Sequence, residues 1–235
     1  MDSWNGIGSL FIACVELILL VNLLIFTEKN RFNRTSMLMV LLLVIYQTFE
    51  FLMCWAGINA SFMAYLAFVD ISILPPLNLI LLFRLFKYEN KILNLIFIPA
   101  VSFIVYYAFT VDQFAVTSCT VLYASYNYPL GELYGFFYYL PILITIMVLV
   151  RAVQTKKDQR IKFISKVLLF GNIIISIPVV VGFTLMFSGN YVFISRMESI
   201  MCKFAFIYAV CLSIVSLYKS KGKDGRDNPE HISDN

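Results

Sequence analysis

Long apolar runs separated by short polar breaks make up almost the whole chain. The pattern predicts seven helices: Ile7 to Thr27, Ser36 to Trp55, Ser61 to Phe86, Ile92 to Val111, Leu133 to Val153, Ile164 to Phe187 and Phe193 to Leu217. Each is near the ~20 residues that cross a hydrocarbon core. The first run follows a few residues without Lys or Arg and has no small-residue cleavage site, so it reads as a retained span. The longest break, 112–132, holds only acids, Asp112 and Glu132. Within it the alternation CTVLYASY predicts a small hairpin or lid, with Tyr-Pro-Leu-Gly as its turn. A turn at SGNY (188–191) leads into the seventh helix. The expected organisation is a seven-helix membrane domain over 1–218 and a polar, disordered tail over 219–235.

Charge orients these spans. Sixteen of the eighteen Lys and Arg fall on alternate breaks and the tail: 29–34, 84–91, 151–166 and 219–226. The opposite side has Arg196, and Lys203 lies inside the seventh helix. Basic loops stay in the cytoplasm, which places the N-terminus outside and the C-terminus inside. Composition agrees, with 60% hydrophobic and 14% charged residues and a mean hydropathy of +0.83, far from a soluble domain. The fold class expected is all-α, a polytopic seven-transmembrane helix bundle. The five cysteines show no CxxC spacing, and Cys119 has no evident partner, so they read as packing residues without disulfide or metal roles. The one histidine, His231, is in the tail, which excludes histidine chemistry within the membrane.

Ionisable residues inside spans are costly and mark functional sites or fixed packing. Glu50 lies roughly 7 Å from the outer edge, Asp70 and Lys203 on the order of 12 Å, and Glu16 about 15 Å. All four fall in the outer half, which predicts one polar cavity opening outward. Lys203 is expected to pair with Asp70 at matching depth; reaching outward to Glu198 is the alternative. Gln47, Glu50 and Cys54 follow i, i+3, i+7 and share a stripe. Pro75, Pro76 and Pro178 remove backbone donors and are expected to kink or break their helices, with Asn78 just beyond the pair. The candidate ligand-binding set is Glu16, Gln47, Glu50, Asp70, Asn78 and Lys203.

Several stretches resemble one family. They are Glu50 in YQTFEFL, the helix-3 run AFVDISILPPLNLILLFRLF, YPLGELYGFFYYLPILI at the start of helix 5, and NIIISIPVVVGFTLMFSG in helix 6. Together they are similar to the seven-helix sensor region at the N-terminus of some bacterial membrane histidine kinases. The likeness spans roughly Glu16 to Leu217. It implies a multi-pass protein of a bacterial inner membrane with an outer-half pocket for a small ligand or lipid. Occupancy would pass through helix 7 to the cytoplasm. Departing from the family, no kinase follows helix 7, so the expected partner is a separate cytoplasmic signalling protein or a second copy of the chain.

Two other classes compete. A retinal protein would use Lys203 as the Schiff base and Asp70, six residues before Pro76, as counter-ion. Against it, Trp4 and Trp55 both lie at outer edges, and Ser199 stands where an acid is expected four residues before the lysine. A small proton-coupled transporter could relay protons through Glu16, Glu50 and Asp70, but no internal repeat is visible. Enzyme motifs such as HExxH or GxSxG are absent, so no catalysis is expected. No cofactor and no nucleic-acid partner is expected; membrane lipids are. Asn59-Ala60-Ser61 matches a glycosylation sequon on the outer side.

Overall fold

A computed structural model describes residues 4–58, 61–88, 91–187 and 197–224. Asn59 of the sequon, the SGNY turn, the start of helix 7 at Phe193, the Glu198 side chain and His231 lie outside the described residues. The helices are α1 (Ile7–Phe26), α2 (Arg31–Cys54), α3 (Ser61–Leu85), α4 (Ile98–Ala108), α5 (Gly131–Thr155), α6 (Gln159–Phe187) and α7 (Met197–Asp224). Six of them are long and apolar enough to cross a membrane, as expected of a multi-pass membrane protein. Their apolar outer faces, such as Phe11, Ile18 and Ile25 on α1, are exposed because lipid, not protein, is their solvent.

Helix ends differ from the apolar runs for a physical reason. Hydropathy reports what sits in lipid, while a helix continues into water wherever caps and polar side chains allow. Thus α2 starts at Arg31, not Ser36, because the Asn30 side chain caps the Asn33 N–H at 2.9 Å. Likewise α6 begins at Gln159, and α7 runs on to Asp224, six residues past the expected boundary. The fourth run splits into a 3₁₀ stretch, Lys91–Phe97, and the short α4. The split falls where Pro99 sits in the first turn of α4 and restricts the residue before it.

The paired prolines do not break α3. The helix is continuous through Pro75 and Pro76, and α6 is continuous through Pro178. Removing a donor loosens one rung, but flanking turns and neighbours hold the axis in an apolar setting where an open backbone is worse. Polar side chains in the spans mostly return to their own helix: Thr48 to the Val44 carbonyl, Ser72 to Phe68, Ser213 to Ala209.

The helices close into a ring. α1 packs on α2 and α7, α2 also on α3 and α7, α3 on α4 and α5, and α5 on α6, which packs on α7. α3 is the innermost span; both its prolines and Asn78 are buried. At one end the break between α4 and α5 folds into an antiparallel hairpin, β1 (Ala115–Cys119) and β2 (Ala124–Asn127), bulged between Val116 and Ser118. Its turn is Thr120–Tyr123, closed by Thr120 N–H to the Tyr123 carbonyl at 2.9 Å. The expected turn, Tyr128-Pro129-Leu130-Gly131, instead leads into α5, with Leu130 in the left-handed region at φ 56°. Phe114 and Tyr126 of the hairpin bury against Phe68, Tyr107 and Tyr134, joining hairpin to bundle through edge-on rings.

Candidate functional site

Where α1, α2 and α7 meet beneath the hairpin, the buried charges come together. Ser199 and Lys203 are i, i+4 on α7, and Gln47 and Glu50 are i, i+3 on α2, so each pair shares a face. Lys203 Nζ lies 2.9 Å from Glu50 Oε1. The same ammonium donates to Ser9 Oγ at 2.8 Å and Gln47 Oε1 at 2.6 Å, so its three N–H groups each have an acceptor. Ser9 Oγ donates to Glu50 Oε1 at 3.0 Å, and Ser199 Oγ to Oε2 at 2.9 Å. Gln47 Nε2 donates to the Cys202 carbonyl at 3.1 Å. Glu50 is 1% exposed and the Lys203 side chain 13%, so the pair is desolvated and satisfied almost entirely by protein.

The hairpin is wired into this pair. Ala124 N–H donates to Ser199 Oγ at 3.0 Å, completing a chain from β2 through Ser199 to Glu50. Gly6 and Gly8 N–H donate to the Thr120 and Val121 carbonyls at 3.0 and 3.1 Å, tying the start of α1 to the hairpin tip. A Cβ at Gly8 would lie 2.7 Å from the Val121 oxygen, so only glycine permits the approach. Cys54, one turn beyond Glu50, forms a disulfide with Cys119 at the end of β1. This corrects the expectation that no cysteine is cross-linked: 65 residues of separation hid a pair that folding brings to a Cα–Cα distance of 5.5 Å.

Lys203 therefore pairs with Glu50, not Asp70. Axial depth favoured Asp70, but the facing of α2 toward α7 decides, and a flexible lysine stem covers the ~5 Å difference in depth. Asp70 is buried on α3 and Glu16 is fully buried on α1; among the described residues Asp70 Oδ2 and both Glu16 carboxylate oxygens have no hydrogen-bond partner. The side chains around the ion pair are closed off: Ser9, Gln47, Glu50 and Ser199 are buried under the hairpin. Among the described residues no three His, Cys, Asp or Glu side chains converge as metal ligands.

A second polar group lies deeper. Asn78 Nδ2 donates to Asn172 Oδ1 at 2.7 Å, Tyr208 OH donates to Asn78 Oδ1, and Asn172 Nδ2 donates to the Leu168 carbonyl at 2.9 Å. They line a cavity of about 40 Å³ together with Pro75, Met201 and Cys202. A water needs about 10–15 Å³ on this measure, so the space takes a few waters or a very small polar molecule. Cys202 belongs to this lining and also bonds Gln47 through its carbonyl, which makes it the link between cavity and ion pair. Close packing of α6 on α7 depends on Gly171, where a Cβ would stand 2.5 Å from Tyr208 Cδ2.

The sequence pointed to Gln47, Glu50, Lys203 and Asn78, because a polar group inside an apolar run stands out. Nothing in the sequence marks Ser9 and Ser199 as partners of the ion pair, since serines can satisfy themselves on their own helix. Ala124 acts through its backbone, which no residue type marks. No family model, curated protein or solved structure matches the chain.

Proposed function

We propose that the chain is a seven-pass receptor of a bacterial inner membrane, with the N-terminus outside. It binds a small ligand or lipid head group beneath the hairpin and signals through α7 to a cytoplasmic partner. The basic breaks supply the orientation. The disulfide joins the opposite end, where an oxidising compartment would form it. The 3₁₀ stretch and α4 together rise roughly 30 Å, enough for a seventh crossing.

One observation carries the reading: α7 touches every working part. It supplies Ser199 and Lys203 to the ion pair, Met201, Cys202 and Tyr208 to the cavity, and Ser220 at the basic end. There Ser220 Oγ accepts from Glu28 N–H and Asn33 Nδ2, both at 3.1 Å. In the closed arrangement Glu50 and Lys203 are bonded to each other, so a ligand engages either charge only as the pair parts. The ligand then favours an open state in which the hairpin loses its hold through Ser199. A differential affinity worth about 1–3 kcal/mol makes such a switch useful. The retinal reading draws less support, because the Lys203 ammonium is fully engaged by Glu50, Ser9 and Gln47.

Spin labels at Tyr88, after α3, and Leu217, on α7, report whether the ion pair governs the basic end. Reconstituted protein carrying Lys203→Met is expected to show a shifted distance distribution relative to the unmutated pair. Identical distributions from both folded proteins would remove the proposed coupling, and with it the receptor reading.

A further inference from the structure

The hairpin over the ion pair is held in two different ways. Its root is packed: Phe114 and Tyr126 are buried, with their rings edge-on to that of Phe68 at 5.0 and 5.9 Å. Its tip, beyond the bulge between Val116 and Ser118, is tied instead. Thr120 and Val121 offer their carbonyls to the N–H groups of Gly6 and Gly8, at 3.0 and 3.1 Å. Gly6 is the N-cap of α1 and supplies no side-chain cap, so the tip provides acceptors for donors that a helix start leaves open. Ala124 N–H reaches Ser199 Oγ at 3.0 Å, and the Cys54–Cys119 disulfide adds a covalent tie.

Apolar burial does little to keep the tip down. Val121 and Leu122 are exposed, as are Thr117 and Ser118. Segments that bury few apolar groups and rest on a few backbone bonds open well below the free energy of global unfolding. A cross-link suppresses such opening by confining the loosened chain, and this one joins residues 65 apart in sequence. Its position matters as much. Cys54 sits one turn beyond Glu50 on α2, and Ser199, which takes the Ala124 N–H, donates to Glu50 Oε2 at 2.9 Å. Two of the ties that fix the tip therefore end at the ion pair. Cys54 is buried and Cys119 half-buried, so a reductant meets the bond from the hairpin side.

We propose that the Cys54–Cys119 disulfide is a thiol-responsive latch: a dithiol opens it, the hairpin tip swings away about its aromatic root, and water reaches Glu50 and Lys203. One thiolate of the dithiol bonds to Cys119 Sγ, and Cys54 leaves as a thiolate that takes up a proton. The second thiolate then bonds to the first sulfur of the dithiol and releases Cys119, which is protonated in turn. Two electrons pass from the dithiol, which ends as a disulfide, to the cysteine pair. The latch needs no ligand and no cytoplasmic partner, so it stands apart from the receptor reading.

Hydrogen exchange of the full chain in detergent, read by mass spectrometry before and after dithiothreitol, tests it. Reduction should speed exchange at Gly6, Gly8 and Ala124 by about tenfold more than in α5, which the bond does not touch. Acetylation of Lys203 by a water-soluble succinimidyl ester, located in its peptide, should quicken about tenfold as well. Reoxidation should restore both original rates. Cys119→Ser should behave as the reduced protein without any reductant; if that variant folds poorly, the reduced unmutated chain still decides. Unchanged exchange at the tip overturns the proposal. So does an acceleration no greater than in α5, which would make the bond a staple of the whole fold. A tip that opens while Lys203 reacts at its former rate overturns it too, because the latch would then not govern the ion pair.

Discussion

Replacing Lys203 by Met removes the only cation bonded to Glu50 among the described residues and leaves a carboxylate at 1% exposure held by two serines. Breaking a buried pair from one side costs about 3–5 kcal/mol, because the remaining charge is neither solvated nor matched. At about 2–4 °C per kcal/mol for a chain this size, the unfolding midpoint falls by roughly 6–20 °C. Glu50→Gln should be milder. Lys203 then keeps Ser9 and Gln47 as acceptors. The double variant Lys203→Met/Glu50→Gln strands no charge and should recover at least half of the single lysine loss. Thermal unfolding of the four proteins in one detergent, followed by circular dichroism, gives the cycle. A Lys203→Met midpoint within about 1 °C of the unmutated protein would refute the reasoning. So would a double variant whose loss equals the sum of the two singles, since independent sites add and coupled ones do not.

Three further outcomes follow from the packing. Cys119→Ser opens a cross-link between the end of α2 and the hairpin, and should cost about 2–4 kcal/mol. Alkylation of the unreduced, unfolded chain should modify Cys14, Cys202 and Cys211 only; labelling of Cys54 without reductant would contradict the bridge. Gly171→Ala places a methyl 2.5 Å from the Tyr208 ring, pushing it off Asn78, at a cost of about 1–3 kcal/mol by thermal unfolding. An unchanged midpoint would show that α6 and α7 are not packed as closely as the structure has them.

Much of this protein was already decided along the chain. Apolar runs of span length, and the polar breaks between them, specify membrane helices because lipid accepts almost nothing else. Glu16, Gln47, Glu50, Asp70, Asn78 and Lys203 stood out for the same reason, being expensive where they are. What linear order does not contain is how each helix is turned about its axis. A rise of 1.5 Å per residue sets depth, and depth alone favoured Asp70 for Lys203. Rotation of α2 against α7 put Glu50 in that place, while among the described residues Asp70 Oδ2 and both Glu16 oxygens have no partner. The same holds for Cys54 and Cys119, and for the Ala124 N–H on Ser199, which join segments far apart in sequence. Solvent preference is a property of each residue and can be read singly; a partner is a property of two surfaces, and it exists only once they are packed.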